Sequence, residues 1–99
     1  SIPSVPTLLA PVNGAESTPL MPVFDWSNST PDLHHYQLQL ATDSAFTLNL
    51  VSYTDILTST YTLTSDLNPN TTYYWRVRAF NAANKSSAWS AIWSFTTQP

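Results

Sequence analysis

The sequence predicts an all-β fold, a seven-stranded antiparallel β-sandwich, and three observations carry that prediction. Apolar and polar residues alternate with period two in one segment after another, and no window sustains the 3.6-residue period of an amphipathic helix. Ser and Thr make up over a quarter of the 99 residues, whereas Lys and Glu occur once each. That composition is poor for exposed helices and good for strands with polar outer faces. Turn-forming stretches (Asn13-Gly14, Ser27 to Asp32, Ala41 to Ser44, Ser65 to Asn70, Asn81 to Ser87) punctuate the alternation at short intervals.

Seven segments qualify as strands. Thr7 to Ala10 is bracketed by Pro6 and Pro11, as at a sheet edge. Pro22 to Trp26 turns Phe24 and Trp26 to one face. Tyr36 to Leu40 turns Tyr36, Leu38 and Leu40 inward and two glutamines outward. Leu50 to Thr54 alternates weakly and suits an edge; Tyr61 to Leu63 is shorter still. Tyr73, Trp75, Val77 and Ala79 form one face of the longest segment, Tyr74, Arg76, Arg78 and Phe80 the other. Trp93, Phe95 and Thr97 close the series. Seven short strands spaced by turns, with no internal repeat, make one sandwich. The domain is placed at residues 7–97, with 1–6 and 98–99 as proline-bearing linkers to a longer polypeptide.

Size and charge bound the function. One chain of this length supports one core, and thirteen aromatic residues fill it without staples. No cysteine is present, so disulfides, zinc knuckles and thiol chemistry are excluded. The net charge of −3, with six acids preceding three bases, argues against nucleic acid as a partner. No apolar run reaches the length of a membrane span.

Trp26, the run Leu67-Asn68-Pro69-Asn70-Thr71-Thr72-Tyr73, the alternation Tyr73-x-Trp75-x-Val77-x-Ala79 and the ending Trp93-Ser94-Phe95-Thr96-Thr97 together resemble a fibronectin type III domain. The likeness extends over nearly the whole chain and is closest to versions in bacterial multidomain extracellular proteins. It implies an immunoglobulin-like Greek key with Trp26, Tyr36, Leu67, Tyr73, Trp75, Val77 and Phe95 in the core. The Leu67-to-Tyr73 run resembles the tyrosine corner of such sandwiches, which implies a Tyr73 hydroxyl bonded to upstream backbone. Asn84 stands where many members of the family carry glycine, and asparagine tolerates the left-handed backbone. The chain has no Arg-Gly-Asp tripeptide, so the integrin binding of some members does not transfer.

The outward parity of the long strand offers Tyr74, Arg76 and Arg78, joined by Trp89, as the candidate binding residues. Gln37 and Gln39 lie beside them on a neighbouring strand. Such a strip could stack on a sugar chain, or it could be ordinary cover with arginine stems flat on rings. Trp89-Ser90-Ala91-Ile92-Trp93-Ser94 is similar to the tryptophan–serine repeat of cytokine receptors, but its tryptophans stand four apart rather than three. That spacing carries neither a ladder nor receptor function. Trp93 is expected in the core and Trp89 at its end or partly covered.

Catalytic patterns are missing. There is no G-x-S-x-G elbow and only one glycine. His34 and His35 are adjacent, so on a strand they point to opposite faces and share no metal; they read as loop residues. The acids are scattered, with neither a calcium loop nor a carboxylate pair across a cleft. The sequons at Asn28, Asn70 and Asn84 are no more than the composition yields by chance. No catalytic, metal or cofactor site is therefore expected.

The leading expectation is a non-catalytic spacer module of a larger secreted or cell-surface protein. Its partners are the neighbouring domains, and it is a monomer in isolation. The alternative is a carbohydrate-binding or adhesive module acting on polysaccharide or another protein through Tyr74, Arg76, Arg78 and Trp89.

Overall fold

The computed structural model describes residues 1–99 as two packed sheets without a helix. Eight strands follow in chain order: β1 (Leu8–Ala10), β2 (Ala15–Thr18), β3 (Val23–Trp26), β4 (His35–Ala41), β5 (Val51–Ile56), β6 (Thr60–Thr62), β7 (Thr72–Phe80) and β8 (Trp93–Thr97). One sheet has the order β1-β3-β6, the other β2-β8-β7-β4-β5. The chain crosses between sheets after β1, β2, β3, β5 and β6, which gives the Greek-key connectivity.

The count is eight rather than seven, and the sheets are not wholly antiparallel. The additional strand is β2, which pairs parallel with β8 through Ala15 and Thr18 opposite Phe95 and Thr97. Its sequence, AEST, has no apolar face to alternate, and it follows directly on the Asn13-Gly14 turn. Backbone pairing to β8 makes the strand where side-chain pattern gives no signal.

Alternation places the core. β7 buries Tyr73, Trp75, Val77 and Ala79, β4 buries Tyr36, Leu38 and Leu40, and β8 buries Phe95. From the smaller sheet come Phe24 and Trp26 on β3 and Leu8 on β1. The sheets meet through rings: Phe24 edge-on to Trp75 at 4.9 Å and Trp26 edge-on to Tyr36 at 5.4 Å. Edge-to-face pairs of this kind add about 0.5–1.5 kcal/mol beyond the area they bury. Leu67 is half-buried at the margin of this cluster. Trp93, expected in the core, is likewise only half-buried, edge-on to Trp75 at 6.3 Å. It is the first residue of β8.

The corner before β7 is closed by hydroxyls. Tyr73 Oη accepts the Asn68 N–H at 2.9 Å, and Thr97 Oγ1 donates to the Asn68 carbonyl at 2.6 Å. Residues 1–6 lie along the loop that follows β3: Pro3 and Pro6 are buried, and the Ser4 N–H donates to the Thr30 carbonyl at 2.8 Å.

Candidate functional site

β7 is nine residues long, but β8 pairs only with its first part, Thr72 to Trp75. The same edge beyond Trp75 is covered by the irregular segment Ser86 to Ser90. The Ser87 N–H donates to the Ala79 carbonyl at 2.8 Å, and the Ser90 N–H to the Val77 carbonyl at 2.9 Å. Each serine also uses its side chain: Ser87 Oγ accepts the Ala79 N–H at 3.1 Å and Ser90 Oγ the Val77 N–H at 3.0 Å. Three residues of the segment thus match two of the strand. Buried N–H groups that β8 does not reach are satisfied by hydroxyls.

That register lays Trp89, which stands between the two serines, over the outer face of β7. The Trp89 ring has the Arg76 guanidinium 4.2 Å and the Arg78 guanidinium 4.4 Å from its centroid. Arg76 also lies 4.2 Å from the Phe46 ring, and Arg78 lies 5.0 Å from the Phe80 ring. His35 stacks on Phe80 at 4.6 Å with planes 6° apart. The result is a ladder of alternating rings and cations running Phe46, Arg76, Trp89, Arg78, Phe80, with the His35 ring stacked on its last member.

Cross-strand partners hold the rungs. Arg76 faces Gln39 and Arg78 faces Gln37 in the β4–β7 register. Gln39 Oε1 accepts both Arg76 Nε, at 3.0 Å, and Arg76 Nη2, at 2.8 Å; Gln37 Oε1 accepts Arg78 Nε at 2.8 Å. Burial, and then the Arg78 charge beside it, hold the Arg76 guanidinium below its ordinary value. Phe46 enters from the β4–β5 loop with a positive φ of 57°, an uncommon backbone for an aromatic residue, and is nevertheless buried.

Of the four candidate binding residues, the structure brings Arg76, Arg78 and Trp89 together and leaves Tyr74 outside the ladder. Tyr74 sits opposite Ala41 on β4 and Ser94 on β8, where no cation or ring stacks on it. Sequence reasoning missed Phe46, His35, Ser87 and Ser90. The signal for the serines is present one frame earlier than the Trp89–Trp93 spacing suggests. In Ser86-Ser87-Ala88-Trp89-Ser90 a tryptophan–serine repeat of spacing three appears with serine in the first tryptophan position. A second correction concerns His34 and His35, whose Nδ1 atoms lie 2.9 Å apart rather than on opposite faces. The strand begins only at His35, so alternation does not govern His34.

The model of the Rha78A-like, N-terminal immunoglobulin domain family matches residues 20–98. The chain belongs to that family. A Rha78A-like immunoglobulin domain with the fibronectin type III fold agrees with the solved structures it resembles. A Fn3-like protein from Clostridium thermocellum superposes with a TM-score of 0.68 at 19% identity, over 100% of this chain and 94% of that one. An α-L-rhamnosidase from Streptomyces avermitilis, complexed with L-rhamnose, gives 0.70 at 21% over 98% of this chain. An α-L-rhamnosidase from Dictyoglumus thermophilum gives 0.71 at 16% over 99%. At these identities the likeness is one of fold. The Rha78A-like domain spans 10% and 12% of the two rhamnosidase chains. Among curated protein sequences none matches it.

Proposed function

We propose that this domain is a non-catalytic accessory module of a larger secreted or cell-surface, carbohydrate-active protein, in which it sets the distance and orientation of the neighbouring domains. The observation that carries the reading is the closed ladder. Groups that could recognise a sugar are engaged with each other: two guanidinium groups lie over Trp89, and the Gln37 and Gln39 carbonyls accept from the arginines. A strip so occupied stiffens the five-stranded sheet and offers a ligand little that is unpartnered. Membership of a family described as an N-terminal immunoglobulin domain supports the accessory role, as does the small share of the similar rhamnosidases that the fold makes up.

Small-angle scattering of the domain with its neighbours tests the orienting role. One narrow distribution of interdomain distances is expected, and freely flexing junctions would sink it. Titration with a panel of soluble polysaccharides, followed by tryptophan fluorescence, should give flat responses. A saturable shift abolished by Tyr74→Ala together with Arg76→Ala would replace this reading with the carbohydrate-binding one.

A further inference from the structure

His34 and His35 are the two histidines of the chain, and the fold places their Nδ1 atoms 2.9 Å apart, with ring planes 88° to one another. Two constraints produce the approach. The His34 N–H donates to the Phe80 carbonyl at 2.8 Å, fixing the backbone at the mouth of β4. His35 pairs with Phe80 across the sheet and stacks on its ring, which fixes the second imidazole. The His34 ring itself is exposed, so an ion can reach the pair from solvent.

We propose that His34 and His35 form a bis-imidazole site for a divalent transition metal, Cu(II) or Ni(II) in preference to Zn(II). Two nitrogens 2.9 Å apart, each at the usual metal–imidazole length of about 2.0–2.1 Å, subtend about 90° at the ion. That is the cis angle of a tetragonal or octahedral centre, whereas a tetrahedral zinc site opens its ligands wider. In the metal-free pair one Nδ1 carries the proton and the other accepts it. On binding, the donor ring takes the Nε2–H tautomer, so both Nδ1 lone pairs become available with no net loss of a proton. The protein supplies two ligands and no third histidine, cysteine or carboxylate completes a cluster. The other coordination positions fall to water or to a donor on a bound molecule. An open pocket of about 440 Å³ adjoins His34 and is also lined by Asp32, whose carboxylate is paired with the Ser1 ammonium at 2.9 Å; Arg78 lies one ring beyond Phe80.

The test is titration of the untagged 99-residue chain with Cu(II), read by electron paramagnetic resonance and by calorimetry. Two nitrogen couplings at a 1:1 stoichiometry are expected. His34→Ala, at an exposed position, should keep the fold and weaken binding by about tenfold or more, since the second imidazole no longer acts at high effective concentration. In the double variant H34A/H35A, which keeps the N-terminal amine, the two-imidazole coupling pattern should be absent. A single nitrogen coupling, or equal affinity in H34A and the parent, would overturn the proposal. Tighter binding of Zn(II) than Ni(II) would overturn the preference that the 2.9 Å separation implies.

Discussion

Val77 and Ser90 exchange two hydrogen bonds. The Ser90 hydroxyl oxygen accepts the Val77 N–H at 3.0 Å, and the Ser90 N–H returns to the Val77 carbonyl at 2.9 Å. A side chain here completes a ladder that a strand would otherwise supply. Ser90→Ala therefore leaves the Val77 N–H buried and unpaired, at a cost of about 1–3 kcal/mol. Ser87→Ala should act alike through Ala79. Urea unfolding checks both; a loss within about 0.5 kcal/mol, as at an ordinary surface position, would show that the hydroxyls are replaceable.

Tyr73→Phe isolates the corner before β7. The ring stays buried and stacked on Phe95 at 5.8 Å, so only the hydroxyl bond to the Asn68 N–H is removed. Thr97 bonds the Asn68 carbonyl rather than its N–H and cannot substitute. The expected loss is about 1–3 kcal/mol, an end-of-range value if water reaches the freed N–H. A melting curve that superimposes on the parent's would refute it.

The fold class was legible because one face of each long strand is buried and the other is not, so burial leaves a period of two in the sequence. β7 and β4 illustrate this best. β2 was not legible: a strand of one alanine and three polar residues held by backbone pairing writes no pattern. The ladder was half legible. Parity puts Arg76, Arg78 and Phe80 outward, but Trp89 and Phe46 reach the same face from irregular segments whose paths depend on Ser87, Ser90 and Asp43. The approach of His34 to His35 left no trace in the sequence because β4 begins at His35, and strand alternation does not extend to His34.

Trp89 carries two cations, and a double-mutant cycle separates that contact from simple burial. Trp89→Ala and Arg78→Ala, alone and combined, should reveal a coupling of about 0.5–1 kcal/mol, the usual size of a partly exposed cation–ring pair. The same cycle with Arg76→Ala should couple to Trp89 and also to Phe46, since Arg76 lies 4.2 Å from both rings. Tyr74→Ala is the control: outside the ladder, it should show no coupling to Trp89. Additive losses at both arginines would reduce the ladder to coincident packing.

Asp43 gives the ladder a pH dependence. Its carboxylate accepts the Thr47 hydroxyl at 2.6 Å and the Thr47 and Leu48 N–H groups at 2.9 Å each, shaping the loop that carries Phe46 to Arg76. The Thr47 hydroxyl first, then the Leu48 N–H, hold this carboxyl below its ordinary value of 3.8. A carboxyl depressed on folding releases its proton more readily in the folded state than in the unfolded one. Its contribution is therefore complete above the ordinary value, falls as the pH drops through the lower folded value, and vanishes once both states are protonated. Asp43→Asn cannot make that contribution at any pH. Parent and variant should differ in Tm at neutral pH and converge on acidification below 3.8, while the other five acids, common to both, cancel in the difference. A gap that stays constant into acid would mean that the variant has lost the shape of the loop rather than the charge.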